Sequence, residues 1–170
     1  MRVYLTLLLL VFTLHLQGQA PFIEIKPQTD ASFRGLSVVD DSVTWVSGSK
    51  GFVGRSINGG IDWVFTQVKG FEKNDFRSVY AFDSNNAVIA NAGSPAYILR
   101  TNDGGKNWNV VYQNYDTAAF FDGIDFWNDK DGIIYGDPIN DRMTIHKTKD
   151  GGQTWQELPE ASRPILAKGE

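Results

Sequence analysis

The sequence predicts an all-β chain, a β-propeller built from four-stranded antiparallel blades. Three observations carry this prediction. An eight-residue pattern ending in Trp occurs three times. A Phe-led strand recurs 13 residues after the first two tryptophans. Helical periodicity is absent beyond the apolar leader. A repeat of about 45 residues, aromatic and punctuated by Gly, marks stacked supersecondary units rather than one irregular domain. Four short strands in that length make one propeller blade.

The leader comes first. Arg2 supplies a positive start, Val3 to Leu16 is almost wholly apolar, and Gln17-Gly18-Gln19-Ala20 offers small residues for cleavage. Residues 1–20 therefore read as a secretory signal peptide, which places the protein outside the cytoplasm, in the periplasm or beyond. The apolar run falls short of the ~20 residues of a spanning helix, so no stable membrane insertion is expected after cleavage. Residues 21–30 are expected to hold a lone strand, Phe22-Ile23-Glu24-Ile25-Lys26, of the kind that closes a propeller ring.

The repeats follow. Ser56-Ile57-Asn58-Gly59-Gly60-Ile61-Asp62-Trp63, Thr101-Asn102-Asp103-Gly104-Gly105-Lys106-Asn107-Trp108 and Thr148-Lys149-Asp150-Gly151-Gly152-Gln153-Thr154-Trp155 share one pattern. Each copy sits beside β-prone runs such as Tyr97-Ile98-Leu99-Arg100 and Val110-Val111-Tyr112, the signature of a hairpin. Gly supplies positive φ, Asp or Asn accepts turn amides, and Trp anchors the outgoing strand. In phase with the boxes run Phe33-Arg34-Gly35-Leu36, Phe76-Arg77-Ser78-Val79 and Phe121-Asp122-Gly123-Ile124, each opening a blade. Second strands follow at Val43–Val46, Ala87–Ala90 and Gly132–Tyr135, ending near Gly48, Gly93 and Gly136. The blades are expected at about 31–69, 74–115 and 119–158, with the start of another at 159–170. A propeller closes with 4–8 blades. The chain is therefore expected to be a C-terminally truncated part of a larger ring; the alternative is that several copies complete one ring.

Composition excludes several functions. Sixteen Lys and Arg stand against twenty Asp and Glu, a net charge of −4. With no basic run, phosphate-based nucleic-acid binding has no footing. There is no cysteine and there are two histidines, one in the leader. Disulfides, thiol catalysis, a lipid anchor on Cys, and Cys or multi-His metal sites are excluded on these counts. Gly48, Gly51 and Gly54 lie between strands, so they are no dinucleotide fingerprint. The acidic turns lack calcium-ligand spacing. No cofactor and no metal are expected.

The box pattern resembles the Asp-box, or bacterial neuraminidase repeat. Together with the 45-residue spacing, the Phe-Arg opening and the Gly-Gly form, it is similar to the photosystem II stability/assembly factor-like family of exported propellers, over about residues 22–158. Members of that family are typically seven-bladed. The resemblance implies a non-enzymatic protein that binds a protein or peptide partner. It also implies that the boxes lie on the face opposite the binding site, so Asn58, Gly59, Gly60, Trp63, Asp103, Gly104, Gly105, Trp108, Asp150, Gly151, Gly152 and Trp155 are structural. Asn58, Asp62 and Asn107 depart from the usual residues and are expected to weaken their boxes.

The opposite face is expected to present Arg34, Arg77 and Asp122 near the central channel, with Lys50 and Asp137 on neighbouring loops. A guanidinium pairs bidentately with carboxylate or phosphate, so an acidic or carboxylate-bearing peptide fits this funnel. Stacking of these arginines on aromatic rings, or their pairing with Asp75 or Asp122 between blades, is the competing reading. The alternative function is a fragment of a sialidase-like or xyloglucanase-like glycoside hydrolase. Against it, no catalytic residues are identified here: the Asp residues fall in turns, and no carboxylate pair of the kind glycoside hydrolysis needs stands out. His146, at the third-strand position of Gly54 and Leu99, is expected to be a hydrogen-bonded histidine between blades.

Overall fold

The computed structural model describes residues 24–165; the leader and residues 166–170 lie outside it. Twelve strands form three four-stranded antiparallel sheets, each in sequence order from inside to outside. The first blade holds β1 (Phe33–Val38), β2 (Thr44–Gly48), β3 (Phe52–Ser56) and β4 (Val64–Gln67). The second holds β5 (Asp75–Ala81), β6 (Ala87–Ala92), β7 (Ala96–Thr101) and β8 (Asn109–Asn114). The third holds β9 (Phe121–Phe126), β10 (Gly132–Ile139), β11 (Arg142–Thr148) and a two-residue β12 (Gln156–Glu157). The strands β1, β5 and β9 neighbour one another and form the inner wall.

The core lies between blades rather than within them. One cluster joins the first two blades through Trp45, Phe76, Val79, Ile89 and Leu99. Another joins the second and third through Val88, Ile98, Phe121, Ile134 and Trp155. Strand β6 explains how: Ala87 and Ile89 turn to the preceding blade, Val88 and Ala90 to the following one. A strand covered on both faces must be continuously apolar, and Ala87–Ala90 is buried throughout. Burying a Phe, Ile or Leu side chain contributes about 1.5–3 kcal/mol, so blade stacking dominates the stability.

Each first strand carries a β-bulge at the same place. Arg34, Arg77 and Asp122 are the residues left over when Phe33, Phe76 and Phe121 pair with Gly48, Asn91 and Gly136. A bulge inserts one unpaired residue and re-aims its side chain. The partner of the Phe must come close. A Cβ on Gly136 would meet the Phe120 carbonyl oxygen, and one on Gly48 the Ser32 oxygen. In the second blade this partner is Asn91, not Gly93. Its buried amide donates to the Gly93 and Pro95 carbonyls and accepts from the Tyr97 amide, tying the following turn.

The strands expected at the two ends fall partly outside the described residues. Residues 24–30 contain no strand; Pro27 cannot donate to a ladder, and residues 21–23 lie outside the description. The position expected for the next first strand, near residue 168, lies outside the described residues; residues 159–165 precede it. They form a 3₁₀ turn (Glu160–Ser162) and fold back on the third blade, where Ile165 bridges Arg142.

Candidate functional site

The bulges place three charged side chains along the inner strands. The guanidinium of Arg34 pairs with Asp75 of the next blade at 2.9 Å. Arg77 lies 3.8 Å from Asp122 and 5.3 Å from the ring centre of Phe120, both in or beside the first strand of the third blade. The pattern repeats: a bulged Arg leans on the neighbouring blade's first strand. Pairing between blades, the competing reading of the sequence, is thus observed. It leaves donors free, because the Arg34 and Arg77 side chains remain 48% and 41% exposed. An ion pair so exposed contributes only about 0–1 kcal/mol. Burial pushes the Asp122 carboxyl up, the charge of Asp137 pushes it further, and Arg77 opposes both. Asp137 therefore belongs to this cluster. It sits in β10 rather than in a loop, because β10 runs three residues beyond Gly136, to Ile139, before a turn at Asn140 and Asp141. Both turn residues have positive φ, the requirement of a tight hairpin turn. Lys50, also at positive φ, turns instead to Asp30.

A cleft of about 410 Å³ opens beside Asp75, lined also by Phe71, Lys73, Asn74, Asn91 and Tyr97. Sequence reasoning passed over Lys73 and Tyr97. The one available signal was that Lys73-Asn74-Asp75 immediately precedes a Phe-Arg opening.

The three Asp-boxes close upon themselves. In the third, Asp150 accepts from the Gln153 and Thr154 amides and the Thr148 and Thr154 hydroxyls, while the Gly152 amide donates to Thr148. In the second, hydrogen bonds from Asn107 hold the Asp103 carboxyl down at about 2. In the first, Asn58 stands where the others have Asp, yet the box is intact. Its amide donates to Asp62 at 2.9 Å, mirroring the 2.7 Å bond from Asn107 to Asp103. Amide and carboxylate have simply exchanged places, so these departures compensate rather than weaken. The boxes also seal blade to blade. Cβ positions at Gly105 and Gly152 would lie 3.2 Å from Trp45 and 2.9 Å from Val88, each on the preceding blade.

His146 lies fully buried in β11 and bonds to the Tyr112 hydroxyl of the second blade at 2.7 Å. Burial, reinforced by Arg163, pushes its pKa down to about 4. It is a neutral strut between blades.

A family model described as photosynthesis system II assembly factor YCF48 matches residues 17–115, more than half of the sequence. The chain belongs to this family. It is 25% identical over 140 residues to the photosystem II assembly lipoprotein Ycf48 of Synechococcus sp. (strain CC9902), a match covering 82% of this chain and 40% of that protein. Its fold is similar to that of a solved YCF48 bound to D1 peptide, with a TM-score of 0.62 and 24% identity, covering 79% of this chain and 41% of that one. YCF48 from Cyanidioschyzon merolae aligns with a TM-score of 0.59 and 21% identity, covering 79% and 42%. The chain thus spans about two fifths of the length of the YCF48 relatives it matches.

Proposed function

We propose that this YCF48-family chain is an exported, non-enzymatic propeller unit that binds a protein or peptide partner through acidic or carboxylate groups. The observation that carries the reading is the pair of half-exposed guanidiniums, Arg34 and Arg77, at equivalent bulges on adjacent inner strands. Each is oriented by one carboxylate or one ring and keeps further donors open. Such a donor pair, beside a cleft that also offers Lys73 and Tyr97, suits an extended segment with carboxylates or a free C-terminus. The relative solved with a D1 peptide supports a peptide as the ligand class, and the assembly-factor names of the relatives support binding rather than catalysis. The apolar leader and the lipoprotein relative support export.

Isothermal titration tests this with acidic peptides carrying a free C-terminal carboxylate and with their amidated, Gln-substituted counterparts. A charge-assisted hydrogen bond contributes about 1.5–3 kcal/mol, so the doubly substituted Arg34→Ala/Arg77→Ala chain should bind the acidic peptides at least about tenfold more weakly. Arg34→Lys/Arg77→Lys keeps the charge, loses the fork geometry and should fall between. Equal affinity of wild type and double alanine variant for the acidic peptides would sink the proposal.

A further inference from the structure

We propose that Asn58 is a site of spontaneous chemical modification, closing to a succinimide with loss of ammonia, and that the hydrogen bonds of the first Asp-box set how fast this happens. Asn58-Gly59 is the one Asn-Gly pair in the sequence. The backbone nitrogen that follows an asparagine can attack that asparagine's own side-chain carbonyl carbon. A side chain on the following residue obstructs the approach, and glycine carries none. The fold also requires glycine here. Gly59 has a φ of 71°, and a Cβ on it would lie 3.0 Å from the Asp41 carbonyl oxygen.

The reaction consumes only water. The Gly59 nitrogen bonds to Cγ of Asn58 and gives up its proton to solvent, and Nδ2 leaves as ammonia. Water then opens the five-membered ring at one carbonyl or the other. One product is aspartate at position 58. The other is isoaspartate, in which the main chain runs through the side-chain carboxyl.

The native box restrains both reacting groups. The Gly59 N–H donates to the Ser42 carbonyl at 2.9 Å, so the proton that must leave is held. This contact belongs to every box: Gly104 donates to Asn85 and Gly151 to Lys130, each at 3.0 Å. The Asn58 amide is pinned as well. Its Oδ1 accepts from the Asp62 N–H at 2.9 Å and the Ser56 hydroxyl at 3.1 Å, and its Nδ2 donates to the Asp62 carboxylate at 2.9 Å. Turning the side chain onto the Gly59 nitrogen breaks these bonds, so conversion waits on local opening. Ser42 is in turn fixed by Asp40, whose carboxylate accepts from the Ser42 and Val43 amides at 2.7 and 2.8 Å. All these residues belong to the first blade, so the restraint does not draw on whatever adjoins it. Where a preceding blade is in place, the box positions equivalent to Asp62 stay exposed, as Asn107 and Thr154 do. Water therefore reaches this corner of a box in either setting.

The aspartate product is the residue that the other two boxes carry at this position, yet the first box cannot use it. Asp103 faces the amide of Asn107, and Asp150 the hydroxyl of Thr154, both donors. Position 58 faces the Asp62 carboxylate, which only accepts. Two like charges would stand where a 2.9 Å hydrogen bond now runs, and they repel. Isoaspartate adds a main-chain carbon inside the turn. Either product opens the first box and loosens Trp63, whose indole N–H donates to the Gly60 carbonyl at 2.9 Å.

Peptide mapping by mass spectrometry tests this on the chain held at pH 8, folded and in urea, reading the mass gain from amide to acid and the isoaspartate fraction. Asn58 should convert ahead of every other asparagine. Unfolding in urea should speed its conversion at least about tenfold, the factor that corresponds to one charge-assisted hydrogen bond. Asp62→Ala frees the Asn58 amide, and Asp40→Ala loosens the turn that presents Ser42. Each should speed conversion several-fold without urea. Near-ultraviolet circular dichroism checks that these variants fold, and the urea comparison on the wild type decides the matter where they do not. Asn58→Asp should lower the melting temperature, and Asn58→Asp/Asp62→Asn, which reproduces the Asp103–Asn107 pair, should recover it. Another asparagine converting first would overturn the proposal. So would equal rates with and without urea, wild-type rates in folded Asp40→Ala and Asp62→Ala, or an Asn58→Asp chain as stable as the wild type.

Discussion

His146 should make the stability of this fold begin to fall in mild acid, before most of its carboxylates titrate. Its ring is fully buried between the second and third blades, its Nε2 is committed to Tyr112, and its Nδ1 finds no partner. Burial, with the nearby Arg163 charge, lowers its pKa from the ordinary 6.5 to about 4. A depressed base is neutral when folded and charged when unfolded, so its contribution is intact above pH 6.5 and is lost as pH falls toward 4. At about 1.4 kcal/mol per pH unit, the whole loss is about 3 kcal/mol, and at pH 5 it is about 2 kcal/mol. Urea unfolding at pH 7.5 and pH 5.0 measures it directly. The control is His146→Leu, since Leu99 already occupies the equivalent position in the second blade. That variant should be roughly 1 kcal/mol less stable than the wild type at pH 7.5, because the Tyr112 hydroxyl is left unpaired, and roughly 1 kcal/mol more stable than it at pH 5.0, because it sheds the pH dependence. If it kept the wild-type loss between pH 7.5 and 5.0, the strut account of His146 would be wrong.

Two further outcomes follow from the joints and turns. Gly136→Ala should destabilise the chain by roughly 1–3 kcal/mol or more, because its Cβ would lie 1.8 Å from the Phe120 carbonyl oxygen. Chemical denaturation reads the loss, and the stacking of Arg77 on Phe120 should loosen with it. In the second box, Asp103→Asn sets two amides face to face and should lower the melting temperature, whereas adding Asn107→Asp recreates the first box's Asn58–Asp62 pair and should recover it. The Asp103 carboxyl, held at about 2, stabilises the native state above its ordinary 3.8, and that contribution is lost as pH falls through about 2. The single variant should therefore also lose part of the acid transition.

The blade count and phase were legible because Trp63, Trp108 and Trp155 mark the hairpins and Phe33, Phe76 and Phe121 mark the first strands. Both kinds of signal are local. The bulges were not legible, since an unpaired residue is defined only by the register of its partner strand, and nothing in Phe-Arg-Gly says that Gly48 will face Phe33. The same gap hid Asn91, which does with side-chain hydrogen bonds what Gly48 and Gly136 do by lacking a Cβ. Arg34, Arg77 and Asp122 were singled out from their blade positions, and the structure places them at matching bulges. Their carboxylate partners were named only as candidates. Deciding among them needed the offset between adjacent blades, which no single repeat contains. The Asn58–Asp62 exchange looked like two defects because each position was weighed alone, whereas the hydrogen bond depends on the pair.

Whether ligands meet the inner strands or the boxes is the central question, and nuclear magnetic resonance of the arginine Nε–H and tryptophan indole N–H groups answers it in one titration. With an acidic peptide bearing a free carboxylate, the signals of Arg34 and Arg77 should shift in a saturable way while the box indoles of Trp63, Trp108 and Trp155 stay in place. Saturable shifts at the box indoles with Arg34 and Arg77 unmoved would contradict the account.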